Sequence, residues 1–308
     1  MTGQSSSLPE PFARTLAQRG FTLVELAIAL FVIGLLLAGA LIPLSTQMEV
    51  RSIADTRRIM DQINEALIGF AQSNGRLPCP ANATLQTGVG TAGTEQYTSP
   101  SCTAQLGVIP WSTLGVPETD AWGRRFTYRV ASVFSDAISA NSWNTTSPEA
   151  QTGVVNCTAP SPTPTQSSAA LCSLGEMAVL NRSIDAAGVH STSILGSGLP
   201  AVFVSHGKNG YGGYQTSGVQ ITGITANTDE AYNVAGGTPT GCPSNPSGTC
   251  TGSSYFTSYL FYSRNPTPYN SPCSETATSS LLCEYDDIVY LISAPMLMSR
   301  MISAGRLP

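Results

Sequence analysis

From Phe21 to Leu44 the chain runs through apolar residues broken by one charge, Glu25. As a helix rising about 1.5 Å per residue this stretch would span about 36 Å, enough for a bilayer core of roughly 30 Å. Before it lies a polar stretch carrying Arg14 and Arg19. Positive residues on that side hold the N-terminus in the cytoplasm and send the rest of the chain across. Glu25 is the anomaly, because a carboxylate inside hydrocarbon costs about 2.5–3.5 kcal/mol on insertion scales and needs a partner. Two plainer readings compete. One is a secretory signal peptide cut at the small residues Ala38-Gly39-Ala40, giving a mature start near Leu41. The other is an ordinary one-pass anchor. Neither gives Glu25 a role.

The flanking residues supply one. Arg19-Gly20-Phe21-Thr22-Leu23-Val24-Glu25-Leu26 resembles the prepilin cleavage signature of type IV pilins and type II secretion pseudopilins. The resemblance implies that a membrane peptidase cuts after Gly20, that Phe21 becomes the N-methylated first residue, and that Glu25 is the assembly glutamate. The chemistry is coherent. Cleavage creates an ammonium at Phe21, and a neighbouring subunit's Glu25 can pair with it, so two costly charges become one pair that sets axial register. Gly20, lacking a Cβ, lets a protease approach the backbone closely. The implied leader, residues 1–20, is longer than many in the family.

The rest of the sequence fits translocation. Charged residues make up only 11% of the 308, against roughly 25% in ordinary soluble domains. The net charge is −5 and no dense Lys/Arg cluster occurs, so nucleic-acid binding has no electrostatic support. Eight cysteines, Cys79, Cys102, Cys157, Cys172, Cys242, Cys250, Cys273 and Cys283, all follow the apolar run. With two histidines and no CxxC, a zinc site is poorly supplied, and disulfides in an oxidising compartment are the better reading. Pairing of nearest neighbours would staple one Gly/Pro/Ser-rich loop per bond, although eight cysteines allow 105 connectivities.

Pro43 ends the apolar run and predicts a kink. From Ser45 to Ser73 the pattern is still helical, with Met60, Ile63, Leu67 and Phe70 at three- and four-residue spacing, and Asn74-Gly75 is the stop. That stripe predicts docking on a sheet, while the upper half of the helix packs between subunits. Strands are expected over 125–133, 177–180, 199–205, 255–262 and 287–293. Low-complexity loops separate them at 157–170 and 235–253. The expected architecture is α+β and pilin-like: a long N-terminal transmembrane helix continuing into a soluble amphipathic helix packed on an antiparallel sheet, with disulfide-stapled insertions. The parts are a leader at 1–20, a transmembrane and assembly helix at 21–44, the soluble half of the helix at 45–75, and a periplasmic head at 76–308.

Two head segments carry a weaker resemblance. Asp120-Ala121-Trp122-Gly123 is similar to an Asp-Pro-Trp-Gly segment of the major pseudopilin, with Ala121 replacing the proline. The stretch 203–213 with Asp286-Asp287 is similar to its calcium loop. That resemblance implies calcium as a cofactor, with Ser205, Asp286 and Asp287 as ligands. Asn209 stands where the family has an acid, and a long insertion precedes Asp286. Turn capping by the two aspartates, and a core role for Trp122, are the plainer alternatives.

No catalytic motif accompanies these features. Gly207-Lys208 lacks phosphate-loop spacing, the glycines at 210–213 lack a strand–turn–helix context, and His190 and His206 have no nucleophile elbow. The favoured function is that of a non-enzymatic, structural, minor filament subunit in a type IV pilus or pseudopilus. Its implied partners are prepilin peptidase, other pilin or pseudopilin subunits and the inner-membrane assembly platform. It would sit in the inner membrane by a single pass, head in the periplasm, before entering the filament. The alternatives are a tip adhesin or other binding module, and a secreted hydrolase.

Overall fold

The computed structural model describes residues 22–137, 167–169, 171, 173, 175–185, 189–223, 228–236, 259–269, 272–275 and 281–307, with the side chains of 36–46 outside the description. The chain divides into two compact units, residues 1–50 and 51–308. Residues 51–74 of the long helix fall in the second unit, where one face of them is core.

In the first unit, helix α1 (Leu23–Asn74) begins after Thr22. Pro43, where a kink is expected, falls among the residues whose side chains are outside the description, and the helix continues on both sides of it. Every described side chain from Thr22 to Leu35 is exposed. Among the described residues no helix is long and apolar enough to cross a membrane.

In the second unit, Met60, Ile63, Leu67, Ile68 and Ala71 of α1 are buried, and Phe70 is half-buried. They join Phe126, Tyr128, Val130, Val202 and Val204 in the main core. The helix ends as its sequence predicts: Gly75 takes the left-handed conformation, at φ 72°, and its N–H bonds the Ala71 carbonyl at 2.8 Å.

Beyond the helix come β1 (Tyr97–Thr98), β2 (Ser101–Cys102) and β3 (Leu106–Val108), then the short helix α2 (Trp111–Leu114). Next are β4 (Arg124–Arg125), β5 (Thr127–Val130), the short helix α3 (Ser132–Ser135), β6 (Met177–Ile184), β7 (His190–Leu199), β8 (Ala201–Ser205) and β9 (Tyr214–Gln215). Helix α4 (Asp229–Ala235), β10 (Tyr259–Tyr262), β11 (Ile288–Ile292) and helix α5 (Ala294–Ser303) complete the described chain. The central sheet, β11-β8-β5-β3, is antiparallel throughout. Its inner strands β5 and β8 are buried at every position, which explains their near-continuous run of Val, Phe, Tyr and Ala.

Several expectations need correction. The second sheet, β10-β6-β7, is mixed, because β10 runs parallel to β6. A parallel neighbour requires a crossover, and the long stretch between β6 and β10 provides it. The expected strand 125–133 stops at Val130 and the chain turns into α3, whose Phe134 carbonyl is taken by the Leu77 N–H at 2.7 Å. The strand expected from Leu199 starts only at Ala201, because Pro200 has no N–H to give a ladder. Strand β6 runs four residues past its expected end at Leu180, against a partner, β7, that was not anticipated. The strand expected from residue 255 is described only from Tyr259. Helix α5 was also not anticipated; it packs Leu297, Met298 and Met301 into the main core.

Disulfides join Cys79 to Cys102 and Cys273 to Cys283, each to its nearest neighbour in sequence. Cys157, Cys172, Cys242 and Cys250 lie outside the described residues, as does nearly all of both low-complexity loops.

Leu67→Ala should lower the unfolding free energy by about 2–5 kcal/mol, as truncation of a fully buried leucine does. Glu65→Ala, on the exposed face of the same helix, should change it by less than about 0.5 kcal/mol. Urea denaturation of the two variants makes the comparison.

Candidate functional site

The N-terminus of α1 is built by its own sequence. Thr22 precedes the first helical residue and its hydroxyl accepts the Glu25 N–H at 3.2 Å. In return, one Glu25 carboxylate oxygen accepts the Thr22 N–H at 3.0 Å and the Thr22 hydroxyl at 2.9 Å. This is a reciprocal capping box, and Thr22-Leu23-Val24-Glu25 is its Thr-x-x-Glu pattern. The same Glu25 that the motif resemblance makes an assembly residue is thus also the N3 residue of a helix cap. Around this polar cap the surface is apolar: Leu23, Val24, Leu26, Ile28, Leu30 and Phe31 are all more than half exposed. Gly20 and Phe21 lie outside the described residues.

The head assembles a second group. Side-chain oxygens of Glu230, Asp286 and Asp287 lie within 4.8 Å of one another. Asp286 and Asp287 enter at the start of β11, and Glu230 comes from the first turn of α4. That helix is capped by Thr228, whose hydroxyl accepts the Ala231 N–H at 3.3 Å. Glu230 accepts the Asp286 N–H at 2.9 Å and the Asn209 side-chain amide at 3.2 Å. Asp286 accepts the Asn209 N–H at 2.8 Å, and Asp287 accepts the Asn233 amide at 2.9 Å. One oxygen each of Asp286 and Asp287 is buried with no protein partner. Gly207 admits the loop against this group: its φ is 55°, and a Cβ there would meet the Asp286 carbonyl oxygen at 2.4 Å.

Crowding three carboxylates out of water disfavours their charged forms. Burial pushes Glu230 up to about 7, aided by the charge of Asp286. Burial raises Asp286 as well, and raises Asp287 well above the usual carboxylate range, where the charge of Glu230 adds to the effect. His206 stands behind them, fully buried. Its Nε2 is 2.7 Å from the Thr127 hydroxyl and its Nδ1 is 3.7 Å from Asp287. Burial, and then the positive Arg124, lower it to about 4, so it is neutral at neutral pH and adds no compensating cation.

The set chosen from sequence is thus brought together only in part. Asp286 and Asp287 meet, while the Ser205 hydroxyl donates its proton to Asp120 at 2.6 Å. Asp120 also accepts the Trp122 and Arg124 N–H groups, each at 2.9 Å, so the Asp-Ala-Trp-Gly turn is tied to the end of β8. Glu230 takes the third place. It lies in the insertion that separates the loop from Asp286, and Asn209 serves as a donor to two of the acids. The donors are all hard carboxylate oxygens, they converge, and two of them are orphaned. These features fit a calcium ion, which takes oxygen ligands in flexible numbers.

Beside this group, Asp229 turns the other way. It accepts Arg182 at 3.0 Å and Arg264 at 2.8 Å, and Arg264 also pairs with Glu275 at 2.9 Å. Glu275 sits within the loop closed by Cys273–Cys283.

The family profile described as the prokaryotic N-terminal methylation motif matches residues 16–41. Neither a curated protein nor a solved structure matches the chain. The match covers Gly20, Phe21, the Thr22–Glu25 cap and most of the apolar run, and leaves the head to be read on its own geometry. This chain therefore carries a prokaryotic N-terminal methylation motif, the segment by which type IV pilin-like and pseudopilin-like proteins are recognised.

Proposed function

We propose that this protein is a minor structural subunit of a type IV pilus or type II secretion pseudopilus. Prepilin peptidase cuts after Gly20, Phe21 is methylated, and the apolar helix holds the chain in the inner membrane with its head in the periplasm. The assembly platform then passes it into a filament, where helices of other pilin or pseudopilin subunits cover its own. The observation that carries this reading is the exposed apolar surface of α1 from Leu23 to Leu35, interrupted by Glu25 alone. A contiguous apolar face of that extent needs lipid or neighbours to cover it, and a lone acid within it needs a cation. The long, loop-rich head favours a tip or low-density position over the shaft.

We assign the cluster of Glu230, Asp286 and Asp287 to calcium, bound as a structural ion. The motif favours a structural, non-enzymatic role.

Protein recovered from its own host should yield an N-terminal peptide beginning at N-methylated Phe21 by mass spectrometry. A mature start near Leu41 would instead mean signal-peptidase release and would end the filament reading. Glu25→Ala should leave the protein in the membrane fraction yet sharply reduce its recovery in sheared filaments; normal incorporation would remove the role given to Glu25.

Calcium makes a separate prediction. Glu230's folded pKa, about 7, lies above its ordinary 4.5, so in chelator the folded state holds a proton that the unfolded chain has released. Its contribution to stability is complete below about pH 4.5 and is lost as pH rises through about 7. Added calcium should restore that stability and raise the melting temperature more at pH 7.5 than at pH 5. Asp287→Asn should abolish the calcium response. Identical melting curves with calcium and with chelator would remove the ion from the assignment.

A further inference from the structure

A cavity in the head stands apart from the carboxylate cluster and from α1's apolar N-terminal half. It measures about 420 Å³ and lies between residues 81–84, residues 104–107, Tyr214 and the C-terminal end of α4. That volume falls within the range of roughly 300–1,000 Å³ usual for small-molecule sites. Its lining contains no charged side chain. Its polar side chains are neutral: the amides of Asn82, Gln96 and Gln220, the hydroxyls of Thr84 and Thr127, and the Tyr214 phenol, set against the apolar Leu106 and Val234.

The walls are fixed before any ligand arrives. The disulfide Cys79–Cys102 joins the segments that lead into the two facing walls. Ala81 and Val108 exchange backbone hydrogen bonds at 2.8 and 3.1 Å, so the walls are also laddered together. Their approach is close: a Cβ on Gly107 would lie 2.3 Å from the Ala81 carbonyl oxygen. Arg125, with no exposed surface, donates to the Ala83 and Leu85 carbonyls at 2.8 Å each and holds the lip from beneath. The Tyr214 ring packs on Ala81, Ala83 and Val108, so its position is set by the core. Rigid walls reduce the ordering cost of binding.

Thr84 and Thr127 bond within the protein, to Asn82 and His206, but the three amides and the tyrosine spend little of their hydrogen-bonding capacity there. Gln220 gives one bond, to the Gly212 carbonyl at 2.8 Å, and keeps its amide oxygen. Asn82 accepts from Thr84 through its oxygen and keeps its amide NH₂. Among the described residues, the Gln96 side-chain amide and the Tyr214 hydroxyl have no protein partner. A charged ligand would find no counter-charge here. An apolar one would strand these groups without water, at about 1–3 kcal/mol each. A ligand with many neutral hydroxyls and one apolar C–H face meets both demands: amides donate to and accept from the hydroxyls, and the tyrosine ring covers the face.

We infer that this cavity is a binding site for a neutral sugar residue, a hexose or N-acetylhexosamine at the end or within the chain of a surface glycan. The inference stands apart from filament assembly, since every group it uses lies in the head.

The test is saturation-transfer NMR on the full mature chain in a non-glycosidic detergent. The probes are glucose, galactose, N-acetylglucosamine and N-acetylgalactosamine, with glucuronic acid as the charged comparison. At least one neutral sugar should show transfer, and glucuronic acid should show less. Gln96→Ala and Tyr214→Phe should each weaken binding about tenfold or more, with melting temperatures close to that of the parent. Absence of transfer from all four neutral sugars, stronger binding of glucuronic acid, or affinity unchanged in both well-folded variants would overturn the assignment. None of these results bears on Phe21 methylation, so the sugar site and the filament role fail independently.

Discussion

The head depends on one burial event, the seating of a single face of α1 against the β5–β8 centre of the sheet. Met60, Ile63 and Leu67 are completely buried there, at the three- and four-residue spacing that places side chains on one side of a helix. Fully burying such side chains contributes about 1.5–3 kcal/mol each. Much else is positioned by that contact. The Thr56 hydroxyl, on the same face, accepts the Ala121 N–H at 3.2 Å and so holds the Asp120 turn, which in turn holds Ser205. At the other end, Gln72 donates to the Arg300 carbonyl at 3.1 Å, and Arg306 donates back to the Gln72 carbonyl at 2.7 Å. The C-terminal helix is thereby fastened to the helix that began the domain.

A chain so poor in charge places an unusual share of it inside. Asp229 and Glu230 are neighbours, both buried, and face different groups. Asp229 meets two arginines, so its charge is compensated. Glu230 meets two further acids, so its charge is not. Paired charges in a low-dielectric interior offset their desolvation only when the geometry is good and the remaining protons are satisfied. Arg264 meets that demand by donating to Asp229, Glu275, Thr267 and the Cys283 carbonyl. The acidic trio does not meet it by protein groups alone, and an ion or protons must make up the difference. One short helix thus anchors an insertion by an ion-pair network on one side and presents an uncompensated acid on the other.

How much of this is legible in the sequence depends on how local the cause is. The stop of α1 at Gly75, the buried stripe and the N-terminal motif are encoded within a few residues, and each can be read directly. The α5 start was equally local, with Ser293 before Ala294-Pro295 and apolar residues spaced around the following turns, but the strand before it drew the reading away. The site residues are different. Asp286 and Asp287 stand out as an adjacent pair, whereas Glu230 becomes their neighbour only through folding, from a segment with no metal-ligand spacing. The Ser205 bond to Asp120, distant in sequence, likewise forms only through folding. The mixed sheet too follows from a crossover, and no local pattern announces the direction in which β10 arrives.

The cap at Thr22 bears on how Glu25 could serve assembly. Taken alone, a carboxylate on an apolar helix is costly in lipid, and the cost would fall on every subunit waiting to be assembled. The Thr22 N–H and hydroxyl both donate to one oxygen of that carboxylate, and the helix N-terminus adds a favourable field, since its free N–H groups carry partial positive charge. The waiting subunit is therefore less penalised than a bare acid would be. Both protein bonds fall on the same oxygen, which leaves the second oxygen to take a neighbour's ammonium without breaking the cap. On this view Thr22 stabilises the monomer and also orients Glu25. Thr22→Val removes the cap and leaves the acid, whereas Glu25→Ala removes both; incorporation lost in both variants marks a cap, and incorporation lost in Glu25→Ala alone marks a register pair. That difference separates a glutamate acting mainly as a register pair from one acting mainly as a helix cap.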